Sequence, residues 1–207
     1  MDKCFIQQAK QYKIKERNKQ VNKIFFISDL HFGHFNAIRF DNRPFKTAEE
    51  MDSALIENWN SVVSDEDTVY ILGDISWHNE EKTVEIFNKL KGVKVLIKGN
   101  HDKVAKGSRI MKCFAAVYDY YELYLDKKTK IVMSHYPIPF WNGQFRDTIH
   151  LYGHVHNSHQ WNIFESWMKE TRALQDIPMR AYNVGCMMDY IGYTPRTLEE
   201  IIEGARK

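Results

Sequence analysis

The stretch Ile24-Phe25-Phe26-Ile27-Ser28-Asp29-Leu30-His31 decides how this chain reads. Four apolar residues, β-branched and aromatic, predict a short buried strand. A small residue follows, and then Asp-x-His. The same event recurs further along. Val69-Tyr70-Ile71-Leu72 runs into Gly73-Asp74, and Val93 to Ile97 runs into Gly99-Asn100-His101-Asp102. Ile131-Val132-Met133 runs into Ser134-His135, and His150-Leu151-Tyr152 into Gly153-His154-Val155-His156. Tyr182-Asn183-Val184 predicts one more short strand. In open α/β sheets, ligands bind beyond the carboxyl ends of the strands. The five polar clusters, spread over about 130 residues, are therefore expected to converge.

Helical signals separate the strands. Thr47 with Glu50 predicts a capping box, and Met51, Leu55, Trp59 and Val62 follow on one helical face. A second helix is expected from about Lys82 to Leu90, with Gly92 free to take the left-handed conformation that ends it. Thr197 with Glu200 predicts another capping box, ahead of Ile201 and Ile202. Residues 157–180, with Trp161, Phe164, Trp167 and Met168, read as a short helical insertion. Alternating strands and helices predict α/β layers. Residues 1–22 are expected to form a basic arm, since 7–23 carry six Lys or Arg. Residues 23–207 are expected to form a single domain.

Composition narrows the function classes. Over 207 residues, 29 basic side chains against 27 acidic ones leave a formal net charge of +2, so no global charge argues for nucleic acid or membrane binding. No run of about 18 apolar residues suggests a membrane span, and polar residues after Met1-Asp2-Lys3-Cys4 argue against a signal peptide. Cys4, Cys113 and Cys186 are odd in number and far apart, which fits a reducing compartment, the cytoplasm by default.

The polar clusters carry the chemistry. One Asp-x-His or Gly-Asp is an ordinary turn. Five such clusters in order, each at a strand end, are not expected to arise by chance. Carboxylates mixed with imidazoles suit Mn, Fe, Ni or Zn, whereas an all-oxygen set suits Mg or Ca. His154 and His156, two apart in an extended segment, are expected to project to one side.

Asp29-x-His31, Gly73-Asp74, Gly99-Asn100-His101-Asp102, His135 and Gly153-His154-x-His156 together resemble the calcineurin-like metallophosphoesterases. Phe32-Gly33-His34 and Asn42-Arg43-Pro44-Phe45 resemble a bacterial and phage branch of that family. The resemblance spans residues 24–156 and extends to Asn183-Val184-Gly185. It implies an α/β fold of two β-sheets packed face to face as a sandwich with flanking helices. It also implies two divalent transition-metal ions per chain, manganese first. Asp29, His31 and His156 would hold one metal, Asn100, His135 and His154 the other, and Asp74 would bridge them. A hydroxide shared by the metals would attack phosphorus. His101 takes the place of the family's general acid, with Asp102 expected to orient its imidazole and raise its pKa.

The chain also departs from the family. Gly73-Asp74-Ile75-Ser76-Trp77-His78 lacks the Asp–Arg pair of Gly-Asp-x-x-Asp-Arg, which argues against phosphoprotein and bis-nucleotide substrates. His34 is a candidate for a phosphate oxygen, and Arg43 for a phosphate clamp or a surface contact. Trp77, Phe140 and Trp141 would stack on a base or pack at the rim or in the core, while His78, His150 and His159 read as surface or packing residues. The expected substrate is a small phosphate ester, a diester ahead of a monoester. A nuclease is the alternative, for which only the Lys-rich arm speaks. A non-catalytic interaction module is a third reading, but such proteins lose ligands and this chain has them all. The sequence carries no signal for oligomeric state.

Overall fold

The computed structural model describes residues 22–175 and 179–206. Apart from Asn22, the basic arm expected over residues 1–22 lies outside the described residues.

Two sheets form the centre. In the first, β1 (Ile24–Ile27), β2 (Thr68–Ile71), β3 (Val93–Ile97) and β4 (Ala116–Tyr118) run parallel in the order β4-β3-β2-β1. The short β9 (Arg196–Thr197) lies antiparallel beyond β1. In the second, β5 (Tyr120–Tyr124) pairs antiparallel with β6 (Lys130–Ser134). Parallel β7 (Ile149–Tyr152) and β8 (Ala181–Asn183) follow. The chain passes from one sheet to the other at Asp119, between β4 and β5.

Strand alternation packs the sheets face to face. Phe26 stacks on Tyr70 at 5.8 Å, and Tyr70 meets Tyr121 of the second sheet at 6.0 Å. Ile131, Met133, Ile149 and Leu151 join the core shared with the first sheet. Their alternate neighbours Val132 and Tyr152 pack instead with Phe164 and Met168 of helix α4 (His159–Gln175). Helices α2 (Ala48–Val62) and α3 (Glu80–Lys89) add Met51, Leu55, Trp59, Ile86 and Phe87 to the first sheet's core. The result is the expected α/β sandwich with flanking helices. Short helices α1 (Phe35–Phe40) and α5 (Leu198–Gly204) complete the fold.

The expected caps are made with one change. Thr47 accepts from the Glu50 amide, but the Glu50 carboxylate reaches back to Lys46 N at 2.7 Å rather than to Thr47, so only half of that box forms. Thr197 and Glu200 form the full box. Helix α3 starts two residues ahead of the expected Lys82, because the Asn79 side chain caps it from Lys82 N. Helix α4 is a 17-residue element rather than a short insertion.

Candidate metal centre

The segments leaving β1, β2, β3, β6 and β7 meet at one rim of the sandwich. There the backbone is unusual. Asp29, His31, Asp74, His154 and His156 all have positive φ, between 48° and 67°. Non-glycine residues seldom adopt that left-handed region, and such strain gathers at functional sites. It also overturns the expected extended run through His154 and His156. With left-handed turns at both, the two imidazoles enter different clusters.

One cluster contains Asp29, His31 and His156, the other Asp74, His135 and His154, with the ligand-capable atoms of each lying within 4.8 Å of one another. His31 Nε2 lies 3.3 Å from His156 Nε2, which lies 3.4 Å from Asp29 Oδ1. His135 Nε2 lies 3.3 Å from His154 Nδ1 and 3.0 Å from Asn100 Oδ1. Asp74 Oδ2 sits between the clusters, 3.7 Å from His31 Nε2 and 3.6 Å from His135 Nε2. Glycine permits this crowding, since a Cβ at Gly99 would collide with Asp74 Oδ1 and one at Gly153 with Asp29 Oδ2.

Outer contacts fix the imidazoles. His135 Nδ1 donates to the Leu72 carbonyl at 2.7 Å, which leaves the Nε2 lone pair facing the cluster. His156 Nδ1 is paired with Asp41 Oδ1 at 2.7 Å. Arg43 grips Asp41 Oδ2 through Nε (2.9 Å) and Nη2 (2.8 Å), and donates at 3.0 Å to the carbonyls of Leu30 and Asp29. Asn183 Nδ2 donates to the His156 carbonyl at 2.8 Å. Asp41 was not singled out from sequence, and Asn183 was noted only as part of the Asn183-Val184-Gly185 strand, with no role. Asp41 stands two residues before the noted Arg43, and Asn183 closes β8.

The electrostatics suit a cation. Burial pushes His31 down to about 3, against the pull of Asp29, and burial also lowers His154. Neutral imidazoles are the form that donates a lone pair to a metal. Burial opposes the charge on Asp29, but the His156 hydrogen bond and the neighbouring imidazoles hold it well below the usual carboxylate range. Burial likewise opposes charge on His156, yet Asp29 and Asp41 lift it to about 10. The two carboxylates draw positive charge to this spot, whether a proton or a metal ion. The donor set of imidazoles, carboxylates and an amide oxygen fits first-row divalent metals.

Other expected residues take different places. Arg43 is not a phosphate clamp or a surface residue: it is buried, and its planar fork is committed to Asp41 and two carbonyls. Asp102 does not orient His101. Its carboxylate accepts from the amides of Gly99 (2.8 Å), Ile75 (2.8 Å) and Asp74 (3.0 Å), so it ties two loops together. Burial raises its pKa against those three bonds. His101 is exposed, with its amide donating to Asp74 Oδ1 at 3.0 Å and its ring 4.5 Å from Trp77. His34 stacks flat on Trp77 at 4.1 Å and lies 5.4 Å from His31. His78 pairs with Asp52 at 2.7 Å, His150 is fully buried, and His159 is exposed at the start of α4. Trp141 is buried with its indole N–H on the Thr148 carbonyl, and Phe140 packs edge-on against Trp167.

Known proteins share this architecture. Residues 22–184 match the family described as calcineurin-like phosphoesterase. The chain is 33% identical over 188 residues to the Uncharacterized protein MJ1445 of Methanocaldococcus jannaschii, covering 88% of this chain and 91% of that one. It is 28% identical over 205 residues to the Gene 66 protein of Mycobacterium phage D29, covering 87% and 99% respectively. Among solved structures it is similar to the protein of unknown function AQ665 from Aquifex aeolicus, with 25% identity, a TM-score of 0.65, and coverage of 88% and 99%. A match over that much of its length makes the chain a member of the calcineurin-like phosphoesterase family, metal-dependent hydrolases of phosphate ester bonds.

Proposed function

We propose that the chain hydrolyses a small phosphate ester, a diester in preference to a monoester, with two divalent cations, manganese first. In this reading Asp29, His31 and His156 hold one cation, while Asn100, His135 and His154 hold the other. Asp74 bridges them. The observation that carries the reading is the Asp74 carboxylate, whose Oδ2 is nearly equidistant from His31 Nε2 and His135 Nε2, at 3.7 and 3.6 Å. The cations, when bound, make a water acidic enough to ionise near neutral pH and screen the phosphate oxygens.

The chain's own residues do the rest. Leu72 and Asp41 hold His135 and His156 in the tautomer that faces the cluster. Asp102 anchors the loops that carry Asp74 and Asn100. His101, exposed at the rim with its amide tied to Asp74, donates a proton to the leaving oxygen. The diester preference rests on that donor and on the missing Asp–Arg pair. Residues 23–207 form the catalytic domain in this reading. Cys113 and Cys186 are free thiols, which supports a cytoplasmic address, and among the described residues no helix is long and apolar enough to cross a membrane.

The test compares the purified chain with Asp74→Asn for metal content and for Mn²⁺-dependent rates on bis-p-nitrophenyl phosphate and p-nitrophenyl phosphate. Two metals per wild-type chain, a faster diester rate and loss of both metal and rate in the variant are expected. A variant that keeps both metals and full rate overturns the reading. A nuclease is the second reading, favoured by two exposed aromatic residues at the clusters: Trp77 (46% exposed) and Tyr136 (50% exposed), which lies 4.2 Å from His154. Bases stack on such rings. Faster turnover of single-stranded oligonucleotides, falling steeply with salt, would select it.

A further inference from the structure

A cavity opens beside the metal centre. It has a volume of about 250 Å³, and its walls include Ile75, Trp77, His101, Lys103, Val104 and Ile110. Asn100 lines it too, and so belongs both to this cavity and to the cluster around His135. The cavity therefore begins where a phosphate held by the clusters would end.

We infer that this cavity is the leaving-group pocket of the phosphoesterase, and that it takes a single planar aromatic ring by stacking without reading the ring's edges. The inference rests on the proposed phosphoesterase reading. A general acid must reach the oxygen it protonates, within a hydrogen bond's length. His101 is part of the cavity wall, so the alcohol it protonates departs along that wall. Ile75, Val104 and Ile110 give the wall an apolar portion. Trp77 adds an aromatic surface that is 46% exposed and held in place by His34, which stacks on one of its faces with only 6° between the ring planes, and by the tilted His101 ring at 4.5 Å. The volume falls below the ~300–1,000 Å³ of pockets for drug-sized ligands, so one ring on a short stem fits and a run of nucleotides does not.

The polar groups in the deeper wall are already engaged. Ser76 Oγ accepts from His78 N at 3.1 Å and from Thr83 Oγ1 at 2.9 Å. The His78 ring is held by Asp52. Ser76, Thr83 and His78 Nε2 are thereby engaged within the protein, and Lys103 is the exposed charged residue of the wall. A site that leaves ring edges unread accepts a nucleobase and a plain aryl group alike.

The experiment separates binding from turnover. Calorimetric titration of the Mn²⁺-loaded full chain would use phosphonates, whose P–C bond a phosphoesterase does not cleave. Benzylphosphonate is compared with methylphosphonate, and the acyclic phosphonates of uracil and cytosine, single rings with different edges, with each other. Benzylphosphonate should bind about 5- to 150-fold tighter than methylphosphonate, the worth of one stacked ring. The uracil and cytosine compounds should bind alike. Val104→Trp, which fills the cavity, should erase the benzyl advantage, and Trp77→Ala at an exposed wall position serves if that variant does not fold. Equal affinities in the wild type, an advantage that survives in the folded variant, or strong discrimination between the two bases overturns the inference. Ester hydrolysis with no ring preference removes the pocket and leaves the proposed function. Ring-selective binding with no hydrolysis removes the function and leaves a ring-binding pocket.

Discussion

Asp41 reaches the metal centre only through His156, whose Nδ1 it pairs with at 2.7 Å, while Arg43 clamps its other oxygen. Such partners fix ring orientation, and losing one typically costs about 10–100-fold in metal affinity or activity. Asp41→Ala should therefore weaken metal binding by that factor, measured by competition with a chelator. Unchanged affinity would mean that His156 is oriented without it. Arg43 stood out in the sequence, but the direction of its fork did not. Its partners at positions 29, 30 and 41 surround it only once the chain has folded. His150 invites a pH prediction. Its Nδ1 donates to the Val132 carbonyl at 3.1 Å and its Nε2 accepts from Ile138 N at 3.0 Å, so both nitrogens are satisfied in the neutral form alone. Burial pushes the ring down to about 4 from 6.5. The unfolded chain then binds the proton first as pH falls. Stability from this residue is complete above about 6.5 and is lost on the way down to about 4, a loss on the order of 3 kcal/mol. Urea midpoints at several pH values should slope more steeply for the wild type than for His150→Gln over that window. Parallel slopes would sink the idea.

Helices were easier to foresee than the short strands, and the reason is local. The Thr197–Glu200 box is written within four residues, and it forms in full. Thr197→Ala should cost about 1 kcal/mol, seen as a lower urea midpoint at unchanged slope. No change would mean that the pairing of β9 with β1, not the cap, holds this end. Strands β4 and β5 escaped notice because they are short and half-exposed, and the polar Asp119 and Glu122 interrupt their apolar pattern. The strand-end conformations were illegible for a different reason. Asp29, His31, Asp74, His154 and His156 take positive φ without being glycine, against their local preference. Only the surrounding fold imposes that, so sequence reading found these residues but drew His154 and His156 on an extended segment. Gly99 carries the complementary signal. Gly99→Ala should lower metal content and turnover together, since its Cβ would strike the Asp74 carboxylate and backbone. Full metal occupancy in that variant would show that the loop can yield.

At the scale of the molecule, the five polar clusters announced their convergence because each follows a strand. The sandwich itself was less legible. Which faces of β6 and β7 meet the first sheet depends on Ile131 and Met133 pointing one way and Val132 the other, and all three are equally apolar. The resemblance to a known family supplied what periodicity withheld. The folded arrangement has a consequence of its own. Asp29, His31, Asp74 and Asn100 follow strands of the first sheet, while His135, His154 and His156 follow strands of the second. Each proposed cation would therefore take ligands from both sheets and act as a cross-link between them. A ligand that binds only the folded chain stabilises it by RT ln(1 + [L]/Kd), about 2.7 kcal/mol per site at a hundredfold excess over Kd. For a chain of this length each kcal/mol moves Tm by roughly 2–4 °C. Chelation should thus lower Tm by roughly 5–10 °C for each site emptied, and Mn²⁺ should restore it. Asp74→Asn should blunt that response more than the removal of any other single ligand, because its carboxylate oxygen lies near imidazoles of both clusters. His101→Ala should retain the full thermal response while losing about 10²–10⁴-fold in rate on unactivated esters. If chelation leaves Tm unmoved, or if His101→Ala abolishes the shift, the two cations do not bind between the sheets as assigned.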